Sequence, residues 1–244
     1  MKVIDAVWEQ RNIGLATVEL IFDTSDTIDN YRQWVRERVN DSVDYNVAKV
    51  PVGDALLTNH LLNDGFEFLE LITEVSVTQL PILSRIQERM LSKLSYAEMQ
   101  ASDIEYLFEQ IRLGLFKTDR VALDPKLGLQ KSISRYIGWL TDELSRGARF
   151  YRINFNQEFA GFFILGAAKG NKITSILAGI FESHQRYALG FFMNYFAYVE
   201  AFELGAKAVY TNFSSNNRGA SSIHYSIACN LHNQYYVLSK MKGE

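Results

Sequence analysis

The stretch His184–Phe192, HQRYALGFF, joins an apolar run to a long amphipathic segment and poses a chemical question. A helix N-terminus carries roughly half an elementary positive charge and several unpaired N–H donors, which suits an anion such as pyrophosphate. Gln185 adds an amide donor and Arg186 a guanidinium, so residues 185–190 have the composition of a phosphate cradle. The same residues also read as an ordinary helix start with an exposed arginine, because short motifs recur by chance. Other chemistry is poorly supplied. Cys229 is the single cysteine, no Cys/His pairing at a recognisable spacing makes it a nucleophile, and four scattered histidines have no metal-ligand spacing, so no metal is expected.

The elements that must position such a cradle follow from pattern. Residues 1–80 alternate short strands and helices. LATVELIFD (15–23) is strand-like, and TIDNYRQWVRERVND (27–41) puts Ile28, Tyr31, Trp34, Val35 and Val39 on one helical face. YNVAKVPV is extended, a helix follows to a stop at Gly65, and a strand runs from Phe66 to Val77. LPILSRIQERMLSKL (80–94) reads as a connecting helix or a linker, which places a boundary between residues 1–88 and 89–244. Beyond it SYAEMQASDIEYLFEQIRLGLF reads as helical, Asp124-Pro125 marks a turn, and SISRYIGWLTDELSRG is a helix ending at Gly147. Three strands follow, 148–156, 158–170 and 172–183, joined by the hairpin turns NQ and KGN. The chain continues with the helix after HQRYA up to Gly205, strand AKAVYTNF, polar loop SSNNRG, helix ASSIHYSIAC and strand QYYVLSK.

Composition bounds the partners. With 244 residues, 48% of them apolar, the chain can bury a proper core. A net charge of −3 and a pI of 5.9 supply no basic face for nucleic acid. No run reaches the roughly 20 apolar residues of a membrane span, and no segment has the form of a secretion signal. A single cysteine makes a reducing cytoplasm the simplest compartment, and a soluble protein with no membrane partner is expected.

The ordered set of segments resembles the GNAT superfamily of acyl-CoA-dependent N-acyltransferases. In that family a strand leads into a Q/R-x-x-G-x-G/A turn at the start of a long helix, and Gln185-Arg186-Tyr187-Ala188-Leu189-Gly190 occupies that place after SILAGIFES. AVYTNFSSNNRGASSIHYSIAC is similar to the family's strand, asparagine-bearing loop and helix. Arg120, Asp124-Pro125 and Tyr136 to Trp139 resemble the bacterial subgroup of dTDP-fucosamine acetyltransferase, which also has a smaller N-terminal lobe. Three positions depart from the pattern: Ala188 stands for the first motif glycine, Phe191 and Phe192 open the helix, and Ala228-Cys229 replaces a common Gly-Phe.

The resemblance implies an α/β (α+β) fold: a mixed, mainly antiparallel central sheet flanked by helices, with a smaller, partly GNAT-like N-terminal α/β lobe (1–88) before the acetyltransferase domain (89–244). It implies acetyl-CoA as acyl donor and a small-molecule amine as acceptor, favouring a nucleotide-linked amino sugar, and it allows a homodimer. Another amine (amino acid, polyamine or protein N-terminus) and a degenerate binding protein are the alternatives. Backbone groups near Ile180 and Phe181 would pair with the pantetheine arm, residues 185–190 would hold the pyrophosphate, and Asn217 would contact the cofactor. Arg120 and Tyr136 would line the acceptor pocket, although Tyr and Trp three apart on a helix are more often core. The position often tyrosine falls on His224, with Tyr225 next to it. Consecutive helical side chains diverge by about 100°, so one of the two serves, and Tyr225 is the favoured acid.

Overall fold

A computed structural model of the chain describes residues 1–38 and 43–243. Its N-terminal part alternates β1 (Lys2–Asp5), α1 (Val7–Ile13), β2 (Thr17–Ile21), α2 (Ile28–Glu37), β3 (Tyr45–Pro51), α3 (Ala55–Asn63) and β4 (Glu67–Val77). A short helix, α4 (Arg85–Leu91), leads to β5 (Leu94–Glu98), α5 (Ala101–Arg112), α6 (Arg120–Leu123) and α7 (Gly128–Ser145). Then come the meander β6 (Arg149–Phe155), β7 (Glu158–Leu165) and β8 (Lys172–Ile180), followed by α8 (Gly190–Glu203), β9 (Ala208–Ser214), α9 (Arg218–Ser226) and β10 (Asn230–Met241). The expected face of α2 ends on Val39, which lies outside the described residues.

All ten strands form one sheet in the order β1-β2-β3-β10-β4-β9-β8-β7-β6-β5. Among the described residues only the β2–β3 and β8–β9 pairs are parallel. The mixed, mainly antiparallel sheet flanked by helices is the architecture expected from the sequence. Strand β4 lies between β9 and β10, and β10 lies between β3 and β4, so strands from both halves of the chain interleave.

Local chemistry explains most boundaries. Asn156 and Gln157 both take positive φ, at 49° and 71°, the twist that a two-residue turn between β6 and β7 demands. Helix α8 is apolar nearly all round, and its Phe192, Met193, Phe196, Ala197 and Ala201 bury one face of the β6–β9 sheet. Helices α5 and α7 cover the opposite face through Leu107, Ile111, Ile133 and Leu140. A separate core under α2 and α3 gathers Leu20, Phe22, Tyr31, Leu57 and Leu61 against Leu238 of β10. One segment differs from expectation. SYAE, read as the start of a helix, belongs to β5 instead, because Tyr96 turns inward against Tyr151, Phe163 and Phe196 while the backbone pairs with β6. Among the described residues no helix is long and apolar enough to cross a membrane.

Candidate active site

Strands β8 and β9 run parallel only from Lys172–Thr174 against Ala208–Tyr210. Beyond that they separate. On its other side β8 stays paired with β7 as far as Ile180, with one extra residue at Ile176 where Leu165 faces Ser175 and Ile164 faces Leu177. Such a bulge bends the strand and sharpens its twist, which starts the separation. The Phe181 N–H donates to the Ala160 carbonyl at 3.0 Å. By the alternation of an antiparallel ladder, the backbone groups of Ala178 and Ile180 therefore face away from β7, along the edge that β9 leaves open. Strand addition by a ligand uses such an edge.

At the end of β8 the chain makes a 3₁₀ turn, Glu182–Tyr187, and enters α8. Ala188 sits at φ 55° and ψ 37°, in the left-handed region that an alanine adopts at a cost of roughly 1–2 kcal/mol. A side chain at Gly190 would come within 2.8 Å of Ile223 on α9 and 3.7 Å of Ile180, so this glycine lets β8, α8 and α9 converge. Among the described residues the N–H groups of Leu189, Gly190 and Phe191 have no backbone partner, as the first turn of a helix leaves them. Gln185 and Arg186 are exposed. The Arg186 guanidinium lies 5.0 Å from the Tyr187 ring centroid and donates to its hydroxyl at 2.9 Å.

Under the separated strands lies a cavity of about 520 Å³, within the range of small-molecule sites. Its walls combine Ser175–Ala178 of β8, Thr211–Ser214 of β9, Arg135, Tyr136 and Trp139 of α7, and Ala220 and His224 of α9. The N-terminal part adds Trp8, Glu9 and Asn12 of α1, Glu19 of β2, Lys49 of β3 and Glu70 of β4 to the lining.

His224 and Tyr225 fall on different sides of α9. Tyr225, which the sequence favours, is 66% exposed and does not line the cavity. His224 is 4% exposed and stacks on Phe213 at 4.8 Å. Its Nδ1 is 2.8 Å from the Ala220 carbonyl; a carbonyl only accepts, so Nδ1 carries the proton and the lone pair is on Nε2. That Nε2 is buried without a partner. Burial pushes the imidazole pKa below its ordinary 6.5, against the opposing pull of the Ala220 bond, so the ring is neutral at pH 7.

Arg120 and Tyr136 do line the cavity, but both are already engaged. Arg120 is 8% exposed, with its Nη2 at 3.3 Å from Glu19, which also meets the Lys49 Nζ at 3.4 Å. Burial works against the guanidinium charge, yet Glu19, Glu70, Tyr45 and Asp119 together hold its pKa above the ordinary value. Glu19 is likewise opposed by burial and held low by Arg120, Lys49 and Arg135. Tyr136 stacks on Phe116 at 4.3 Å and 24°, and burial raises its hydroxyl pKa well above the usual range. Asn217 caps α9, accepting from the Ala220 N–H at 3.0 Å, and also borders the cavity. Ile180 is half-buried and Phe181 fully buried, and both lie just beyond Ala178, where the β8 lining of the cavity ends.

Sequence reasoning missed the contribution of the N-terminal part. Glu70 is 4% exposed and accepts a hydrogen bond from the Ser214 hydroxyl. It is one of three glutamates in β4, EFLELITEVSV, and nothing local to the sequence sets it apart from Glu67 and Glu74. Glu9 is 3% exposed and Asn12 8% exposed on a seven-residue helix whose short pattern carries little information.

The fold as a whole has solved counterparts. A GCN5-related N-acetyltransferase from Sphaerobacter thermophilus superposes with a TM-score of 0.63 over 98% of this chain and 75% of its own, at 8% identity. The fold is that of the GCN5-related N-acetyltransferases. A second such protein, from Kribbella flavida, gives a TM-score of 0.54 at 14% identity, covering 94% of this chain and 82% of its own. A tandem GNAT protein from the clavulanic acid biosynthesis pathway gives 0.51 at 13% identity, covering 95% and 77%. No family model and no curated sequence matches the chain. The likeness to these three structures is one of fold, at 8%, 14% and 13% identity.

Proposed function

We propose that the protein transfers an acetyl group from acetyl-CoA to a small primary amine. The observation that carries this reading is the open edge of β8, which lies between a helix start with unpaired backbone N–H groups and a cavity lined by His224, whose buried Nε2 has no partner. The fit to the cofactor rests on the same features. The N–H groups of Leu189, Gly190 and Phe191 would hold the pyrophosphate, with Arg186 free to swing from its exposed place over Tyr187. The backbone of Ala178 and Ile180 would hold the pantetheine arm. Acetyl-CoA, when bound, supplies an acetyl group activated as a thioester.

The chain's own residues prepare the acceptor. An amine arrives mostly as ammonium at neutral pH. His224, neutral because it is buried and fixed in one tautomer by Ala220, takes the ammonium proton at Nε2 and frees the nitrogen lone pair. A positioned base of this kind contributes roughly 10²–10⁴-fold. Tyr225, on the outer side of α9, has no part in this step.

The subgroup resemblance favours a nucleotide-linked amino sugar, but the cavity argues against its phosphates. Arg120 and Lys49 are committed to Glu19, and Arg135 is committed to Glu9. Phosphates there would also face Glu70 and Asp119. A small amine without a diphosphate is the better acceptor.

Calorimetric titration with acetyl-CoA tests the reading: saturable binding is expected, followed by thiol release when amines are added. No heat and no thermal shift at millimolar acetyl-CoA would refute it. His224→Gln is expected to lower kcat by at least about tenfold with acetyl-CoA affinity unchanged.

A further inference from the structure

Helix α1 carries two buried, unsatisfied groups of opposite kind on residues that line the cavity. Glu9 Oε1 accepts from the Arg135 Nε at 2.7 Å, while Oε2 has no partner. Asn12 Oδ1 accepts from the Arg11 Nε at 3.3 Å, while Nδ2 has no partner. Both residues are more than nine-tenths buried, and both line the cavity. Three positions apart on a helix, they lie on one face. A buried polar atom left without a partner costs roughly 1–3 kcal/mol, so a ligand that satisfies both recovers that cost.

We infer that this pair recognises a hydroxyl group of the acceptor, making the substrate a hydroxylated primary amine, an amino alcohol or amino sugar, that carries neither phosphate nor carboxylate. The inference rests on the acetyl-transfer reading and deepens it. A carboxylate oxygen needs a donor and an amide N–H needs an acceptor; a hydroxyl is a small neutral group that is both. A second ammonium would satisfy Glu9 and leave Asn12 facing a cation with another donor. A carboxylate or phosphate would satisfy Asn12 and be repelled by Glu9. Trp8 and Trp139 line the same cavity, and aromatic faces of this kind suit the C–H surface of a polyol or sugar ring while leaving its hydroxyls to polar groups. Close packing fixes the pair in place: a side chain at Gly138 of α7 would collide with the Asn12 amide, so α1 is pressed directly onto the α7 backbone.

The test uses the full chain, with acetyl-CoA titrated first and acceptor probes second. Glucosamine and 2-aminocyclohexanol are the hydroxylated probes, cyclohexylamine lacks the hydroxyl, cadaverine adds an ammonium, and glucosamine 6-phosphate adds an anion. The hydroxylated probes are expected to show calorimetric affinity for the protein, and kcat/KM in acetyl transfer, roughly ten- to a hundredfold above the other three. Asn12→Leu and, separately, Glu9→Gln are expected to remove that preference while leaving acetyl-CoA affinity unchanged; far-UV circular dichroism of both variants confirms folding. Equal affinity for cyclohexylamine and 2-aminocyclohexanol, or a preference that survives in both folded variants, would overturn the hydroxyl assignment alone. Absence of acetyl-CoA binding to the native chain would overturn the acetyl-transfer reading, and this one with it.

Discussion

The Glu19–Arg120 pair gives a sharp test of whether the cavity floor is structural or awaits an anion. Glu19→Gln keeps the shape of the side chain and removes the charge that faces Arg120 at 3.3 Å. Arg120 and Glu19 are only 9% and 10% exposed at their side chains, and breaking a buried pair by neutralising one partner costs about 3–5 kcal/mol. Glu70 and Asp119 still compensate part of the arginine charge, and Lys49, at 24% exposure, can turn to water. The cost therefore falls near the lower end, about 3 kcal/mol, or roughly 6–12 °C in Tm for a chain of this size. Urea unfolding at pH 7.5 in low and high salt measures it, and salt should change the difference little because the pair is shielded. The sign of the pH dependence follows from the lowered pKa of Glu19. Its contribution is full above about 4.5, its ordinary value, and is lost as pH falls through the lower folded value. Glu19→Gln should lack that part of the acid limb. The double variant Glu19→Gln/Arg120→Met should regain most of the loss, since replacing a whole buried pair is often neutral. A single-variant cost below about 1 kcal/mol would refute the reasoning; Arg120 would then be free to bind an acceptor phosphate.

Two further outcomes follow. Ala188→Gly should stabilise the fold by about 0.5–1 kcal/mol in urea unfolding, because relief of the left-handed strain outweighs the added chain entropy; a loss of stability would mean that the methyl group packs. His224, whose folded pKa lies below 6.5, contributes stability that is present above pH 6.5 and lost as pH falls from there through the folded value. His224→Phe should flatten that part of the stability profile, and the acid limb of kcat/KM for transfer should likewise lie below pH 6.5.

The strands, glycine stops and hairpins were legible because each rests on local pattern: alternation in β6–β8, φ of 85° at Gly147, the Asn156-Gln157 turn. The short strand β5 was not, since Ala97, Glu98 and Met99 favour a helix and only pairing with β6 overrides them. The positions of β4 and β10 in the sheet were hidden for a different reason. Strand order is set by partners distant in sequence, which no periodicity encodes. The helix carrying His224 and Tyr225 was found, but which of the two lines the cavity depends on the rotation of that helix against Phe213, whose ring lies 4.8 Å from His224 and 5.3 Å from Tyr225. Glu9, Asn12 and Glu70 were missed because their relevance arises where the two halves of the chain meet.

The interleaving of β10 between β3 and β4 also governs how the chain can be made. During synthesis residues 1–77 emerge early, yet β3 and β4 have no direct bond to each other and wait for residues 230–241. Until that segment arrives, both strands present open edges of the kind that pair with other chains. Expression at low temperature, where synthesis and association both slow, should favour soluble protein. Splitting the gene between the halves should yield two insoluble fragments that become soluble only when produced together.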